Sequence, residues 1–193
     1  MMTKILDCTL RDGGYYTNWD FSSEVVKTYI ETTNKLPVDY LEVGYRNKPT
    51  KEYMGKFGYT PVSILKKLRK SSNKKLAVML NEKSTLPEDL DELLTPIKGL
   101  ADMVRLAVDP KNFERATVLA EAVKAMGFEV AFNTMYMSKW STEYKGFLDN
   151  LSEINGVADL FCMVDSFGGI TPSDVREITA KVKANTTCAV GFH

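Results

Sequence analysis

Residues 6–14 read LDCTLRDGG, an apolar opening that gives way to an Arg–Asp pair and then to two glycines. A guanidinium beside a carboxylate, at the end of an apolar run, is what a strand presents when its C-terminal end carries chemistry. Working outward from this stretch, similar apolar runs recur at 4–10, 40–45, 75–81, 103–108, 129–136, 160–166 and 188–193. Most are rich in Val, Leu, Ile, Phe or Met and short, as buried parallel strands are. Amphipathic stretches with helix punctuation separate them. Ser22 and Ser23 open the first. Thr60–Pro61 and Thr171–Pro172 place a capping hydroxyl before a proline at the first helical position. Pro87 precedes Glu88 and Asp89, which puts acid in a first turn where the helix dipole favours it. Gly127 supplies a left-handed end to a helix over 112–126.

The pattern is strand–helix six times, followed by a seventh strand, with no linker or low-complexity segment between units. Such alternation implies parallel strands and right-handed crossovers. An open doubly wound sheet and a (β/α)8 TIM barrel both satisfy it. No GxGxxG follows the first strand, and polar residues gather at many strand ends: Arg11 and Asp12, Arg46, Asn81, Asp109, Asn133, Asp165 and Ser166, and His193. A barrel builds one site from all its strand ends, whereas an open sheet uses mainly its switch point. The expectation is therefore an α/β TIM barrel, present as an incomplete barrel of about seven strands and six helices in one catalytic domain over 1–193. The eighth strand and two helices would come from a longer polypeptide, because an unclosed barrel exposes strand edges.

Composition excludes some classes of function. Lys+Arg and Asp+Glu are 25 each in 193 residues, so no net field favours nucleic acid or a membrane surface. The densest basic stretch, 66–75 (KKLRKSSNKK), reads as a solvated helix end, since the acidic PEDLDELL follows closely. Cys8, Cys162 and Cys188 are odd in number and lack CxxC spacing, so neither a disulfide framework nor a zinc site is expected. No signal-peptide pattern or bilayer-length apolar run is legible, which gives the expectation of a soluble, cytoplasmic protein. An oligomer is compatible with the sequence, though no interface is legible.

Four stretches, in order, carry a resemblance. LDCTLRDG resembles the first-strand signature of the DRE-TIM metallolyases. This superfamily includes hydroxymethylglutaryl-CoA lyase, 4-hydroxy-2-oxovalerate aldolase, and the isopropylmalate and homocitrate synthases. YLEVGY at 40–45 resembles their second strand, with its glutamate at Glu42. VDSFGGITP at 164–172 resembles their sixth-strand motif, and the terminal GFH resembles the opening of their His-x-His metal motif. The resemblance spans the chain. It implies a divalent-metal-dependent lyase or aldolase that makes or breaks a carbon–carbon bond beside a 2-oxo acid, with an aldehyde as the other partner. Asp12 and His193 would ligate Mn2+ or Mg2+, a hard-ligand set suited to such ions. Arg11 would stabilise the enolate oxygen. The second histidine of His-x-His would lie past His193, and alternate residues share a strand face about 6.5–7 Å apart. Residues 1–193 alone are accordingly expected to bind metal weakly and to be inactive.

Other readings of the same residues stay open. Arg11–Asp12 can be a structural ion pair, and His193 an ordinary strand-end histidine. Asp7, placed by alternation on the face of Thr9 and Arg11, can hydrogen-bond in the core or bind metal. Glu42 can hold Arg11 or meet a metal-bound water. Asp165 and Ser166 can contact substrate or order their loop. Arg105 can pair with an internal acid or with a substrate carboxylate, and Asn133 is a further supporting candidate. Gly13 and Gly14 would allow a sharp turn and close approach to a ligand.

The chain also departs from the family pattern. Where the aldolases carry a histidine base three positions after the metal-binding aspartate, this chain has Tyr15; where the synthases have Glu–Gln, it has Gly14–Tyr15. A phenol of pKa about 10 is a poor base at neutral pH. Tyr15 is therefore expected to position or protonate substrate. The rival functions are a Claisen-type acyltransferase and a non-catalytic barrel used for binding or assembly.

Overall fold

The structure is a computed structural model and describes residues 3–193. Among the described residues seven strands are present: β1 (Leu6–Asp7), β2 (Tyr40–Tyr45), β3 (Lys75–Asn81), β4 (Met103–Val108), β5 (Glu129–Thr134), β6 (Leu160–Met163) and β7 (Ala189–Phe192). They follow one another in chain order in the sheet, and the pairs β1–β2, β2–β3, β5–β6 and β6–β7 are parallel. A doubly wound sheet reverses its strand order at a switch point. Here the order does not reverse, which selects the barrel family: seven strands of a (β/α)8 TIM barrel.

Two compact units divide the chain. One runs to Leu80 and resumes at Glu88–Val104; the other takes Asn81–Pro87 and Arg105–His193. In the first unit, β1 leads into two single-turn helices, α1 (Thr9–Asp12) and α2 (Gly14–Thr17), then α3 (Ser23–Thr33). After β2 come α4 (Lys56–Tyr59) and α5 (Val62–Ser71), and before β4 the short α6 (Leu90–Leu94). The second unit holds α7 (Phe113–Ala125) and α8 (Pro172–Asn185). All of β2 and the interior of β3 are buried, which explains their continuous apolar runs. Among the described residues no helix is long and apolar enough to cross a membrane. All three cysteines are free thiols.

Several helix boundaries match the sequence signals. Ser22 Oγ accepts from the Val25 N–H at 3.2 Å. Thr171 and Asp174 form a reciprocal capping box with Pro172 at the first helical position. Gly127, with φ +92°, closes α7.

Other expectations need correction. The strand expected over 4–10 stops at Asp7, because the Asp7 carboxylate accepts from the Thr9 N–H at 2.9 Å and starts a helical turn there. Thr60 does not cap α5. It ends α4 with φ +39°, and its hydroxyl turns back to the Phe57 carbonyl at 3.2 Å, leaving Pro61 as the cap residue. Between β5 and β6 the expected α-helix is replaced by 3-10 turns at Met137–Lys139 and Phe147–Ile154. Aromatic packing accounts for this: Trp140 meets Phe147 edge-on at 5.2 Å, and Phe147 meets Phe113 at 5.1 Å. Rings of that size anchor an irregular segment by burial and edge contacts, without a regular helix.

Candidate active site

In the first unit the early helical turn changes how Arg11 and Asp12 are presented. They sit on α1, not on an extended strand, so alternation no longer aligns Asp7, Thr9 and Arg11. Asp7 is occupied locally: besides Thr9 it accepts from the Tyr29 hydroxyl at 2.6 Å. Burial, together with that bond, pushes the Tyr29 phenol above the ordinary range.

Arg11 is the centre of this unit's polar cluster. It is 5 % exposed. Its Nε donates to Glu42 Oε2 at 2.8 Å, and its Nη1 donates to Asp12 Oδ1. Nη2 is buried and has no protein acceptor. Burial alone would lower the guanidinium, but Glu42 and then Asp12 outweigh it and hold Arg11 above its ordinary value. Glu42 is fully buried on β2 and thus orients Arg11, one of the two roles the sequence left open. Asp12 is more accessible, its side chain 40 % exposed. The Cys8 thiol donates to Asp12 Oδ2 at 3.2 Å; burial, then Asp12, push the thiol up to about 12, so it stays a neutral donor.

The two glycines have a different purpose from the one expected. Gly13 has φ −62°, in the right-handed region, and Gly14 lies within a helical turn. A Cβ on Gly14 would lie 2.0 Å from Trp19 Cδ1, so Gly14 is needed for the indole to approach. Asn18 and Trp19 both take left-handed backbone, φ 50° and 57°. This is an uncommon conformation for such residues, and it swings the indole back over α2. Trp19 Nε1 then donates to the Arg11 carbonyl at 2.8 Å. Its ring meets Tyr15 at 4.8 Å and Tyr45 at 5.6 Å, both edge-on. Tyr15 is 62 % exposed, and its hydroxyl lies 2.8 Å from that of Tyr45.

In the second unit Arg105 is 2 % exposed on β4. Its Nη2 donates to Asn133 on β5 and lies 3.8 Å from Cys162 Sγ on β6, so one guanidinium spans three strands. Asp165 and Ser166 order their loop. Asp165 accepts from Gly169 and Ile170 N–H at 3.1 Å each, and Ser166 Oγ accepts from the Tyr136 N–H at 3.0 Å. His193 extends the ladder: its N–H donates to the Met163 carbonyl at 2.9 Å, and its carbonyl accepts from Asp165 at 3.0 Å.

Several other strand-end polar residues also brace backbone. Asn81 and Asp109 each accept from an N–H two residues on, at 3.1 Å. Arg46 donates to the carbonyls of Leu93, Tyr59 and Thr60. Cys8, Trp19 and Tyr45 were missed by sequence reasoning.

No family model matches the chain. It is 26% identical over 196 residues to 4-hydroxy-2-oxovalerate aldolase of Thermomicrobium roseum, covering 98% of this chain and 53% of that enzyme. It is 21% identical over 192 residues to oxaloacetate decarboxylase of Mycobacterium tuberculosis, covering 98% of this chain and 55% of that enzyme. The chain thus spans about half the length of these relatives. A crystal structure of the N-terminal domain of a candidate aldolase from Bacteroides vulgatus superposes with a TM-score of 0.97 at 67% identity, over 99% of this chain and 64% of that one. The carboxyl transferase domain of Rhizobium etli pyruvate carboxylase gives 0.72 at 16% identity, over 99% of this chain and 35% of that one, a likeness of fold alone.

Proposed function

Because the chain belongs to the DRE-TIM metallolyase superfamily, we propose that it is the barrel portion of a divalent-metal-dependent lyase acting beside the keto group of a small 2-oxo acid. The two named relatives support the substrate class. Both 4-hydroxy-2-oxovalerate and oxaloacetate are 2-oxo acids, and breaking the bond between their third and fourth carbons leaves the same product, the enolate of pyruvate. On this proposal the step is an aldol cleavage, with an aldehyde as the other product.

The observation that carries the proposal is Arg11. A buried guanidinium is costly unless its donors are used. Glu42 and Asp12 fix two of its nitrogens, while Nη2 has no protein acceptor. A preset donor of this kind suits an oxygen on which negative charge develops. Asp12 and His193 are the proposed cation ligands, with Mn2+ or Mg2+ as the ion. Asp12 fits: its side chain is 40 % exposed, and a carboxylate is a hard oxygen donor of the kind such ions take. The ion, when bound, supplies Lewis-acid stabilisation of the enolate.

The chain's own residues do the rest. Arg11 binds the enolate oxygen through Nη2, Glu42 keeps the guanidinium in plane, and Tyr15 contacts the substrate from the exposed side. Arg105 and Asn133 are proposed as support, and Asp165 and Ser166 as the braces of the sixth-strand loop. The test uses the full-length protein: pyruvate methyl protons should exchange with deuterated water, by NMR, only when Mn2+ or Mg2+ is added. Absence of exchange with either ion defeats the lyase reading.

A further inference from the structure

Tyr45 is 7 % exposed, whereas Tyr15, its hydrogen-bond partner, is 62 % exposed. Their hydroxyls are 2.8 Å apart, and either could be the donor. The surroundings break that symmetry. Tyr15 is the only hydrogen-bond partner of the Tyr45 hydroxyl among the described residues. If Tyr45 accepted, its own proton would be left unpaired in a buried place, which is unfavourable. If Tyr45 donates, nothing buried is lost, and the Tyr15 proton faces outward. Trp19 holds both rings by their edges, so the pair cannot easily separate. Burial, with Tyr15 beside it, pushes the Tyr45 phenol above the ordinary range, so Tyr45 keeps its proton.

We propose that Tyr45 is a positioning residue that fixes the polarity of Tyr15, making Tyr15 an obligate hydrogen-bond donor to an anionic oxygen of the ligand held by Arg11. The inference rests on the proposed function, since it takes the surroundings of Arg11 as the ligand site. It makes Tyr15 a donor, and it selects ligands that present a carboxylate or enolate oxygen there.

The test uses the full-length protein with Mg2+ and oxalate, a planar dianion shaped like an enolate of a 2-oxo acid. Calorimetry compares Tyr15→Phe, Tyr45→Phe, the double variant and Arg11→Lys. Loss of one donor should weaken oxalate about tenfold in each tyrosine variant, with no further loss in the double variant. Tyrosine labelled with 13C at Cζ gives a second readout: the Tyr15 signal should shift on adding oxalate to the wild type, and should not in Tyr45→Phe. If Arg11→Lys weakens binding while Tyr45→Phe does not, or if the wild-type Tyr15 signal stays still, the inference is overturned and the lyase reading stands. If oxalate binds equally to all variants, or to none including the wild type, both fall. If Tyr45→Phe does not fold, a Tyr15 signal that stays still in the wild type overturns the inference by itself.

Discussion

Arg11 Nε lies 2.8 Å from Glu42 Oε2, and the Glu42 side chain is fully enclosed. A charge with no access to water is tolerable only while its partner stays in place. Glu42→Gln should therefore lower stability by about 3 kcal/mol, because Arg11 would be left near a neutral amide. Urea unfolding followed by circular dichroism measures it. A midpoint equal to that of the wild type would show that the pair contributes nothing.

Gly14→Ala should be nearly as harmful, for steric reasons. The new Cβ would overlap the Trp19 ring at 2.0 Å, and overpacking costs typically about 1–3 kcal/mol. If the indole swings out, tryptophan fluorescence shifts to the red.

Alkaline stability should depend on Tyr29. Its phenol is raised by burial and by its bond to Asp7. The folded value lies above the unfolded one of about 10. The stabilisation is then complete below the unfolded value and is lost as pH rises through the folded one. In Tyr29→Phe the urea midpoint should be lower than the wild type's near neutrality, and the gap should close as pH climbs above about 10. A constant gap would rule the linkage out.

Asp174 gives the opposite sign. Its carboxylate accepts from the Thr171 hydroxyl and N–H, and is thereby held below its ordinary 3.8. A lowered carboxylate stabilises the fold above its unfolded value, and the contribution disappears as pH falls through the folded value. Asp174→Asn should thus be less stable than the wild type at neutral pH and equal to it in sufficiently acid solution. Urea midpoints at several pH values below 5 test the convergence.

These residues also show what the chain made legible. Strands β2, β3 and β4 were readable to the residue, because runs such as YLEVGY and MVRLAV are buried on both faces and bounded by polar punctuation. The place of Arg105 within β4 followed from the same runs; its bond to Asn133 did not. The turn at Cys8 was not legible. There a single side-chain bond from Asp7 to Thr9 overrides an apolar pattern that reads as continuous strand. Nor was Trp19, since left-handed backbone at Asn18–Trp19 has no glycine to announce it. The 3-10 turns after β5 were hidden for another reason: Trp140 and Phe147 satisfy a helical period while packing by ring edges.

Arg11→Lys separates charge from geometry at the proposed centre. Lysine keeps the positive charge beside Glu42 and Asp12, but its three donors sit on one nitrogen, so it lacks the planar fork that sets separate nitrogens toward Glu42, Asp12 and a ligand. In the full-length protein, exchange of pyruvate methyl protons should fall by about 10²–10³, the loss typical when a preset donor to a developing oxyanion is removed. Stability should fall less than in Glu42→Gln, because no buried charge loses its counterion. A purely structural ion pair predicts the reverse, with exchange preserved and stability reduced. Measuring both on one variant distinguishes a guanidinium that acts on a ligand from one that only ties α1 to β2.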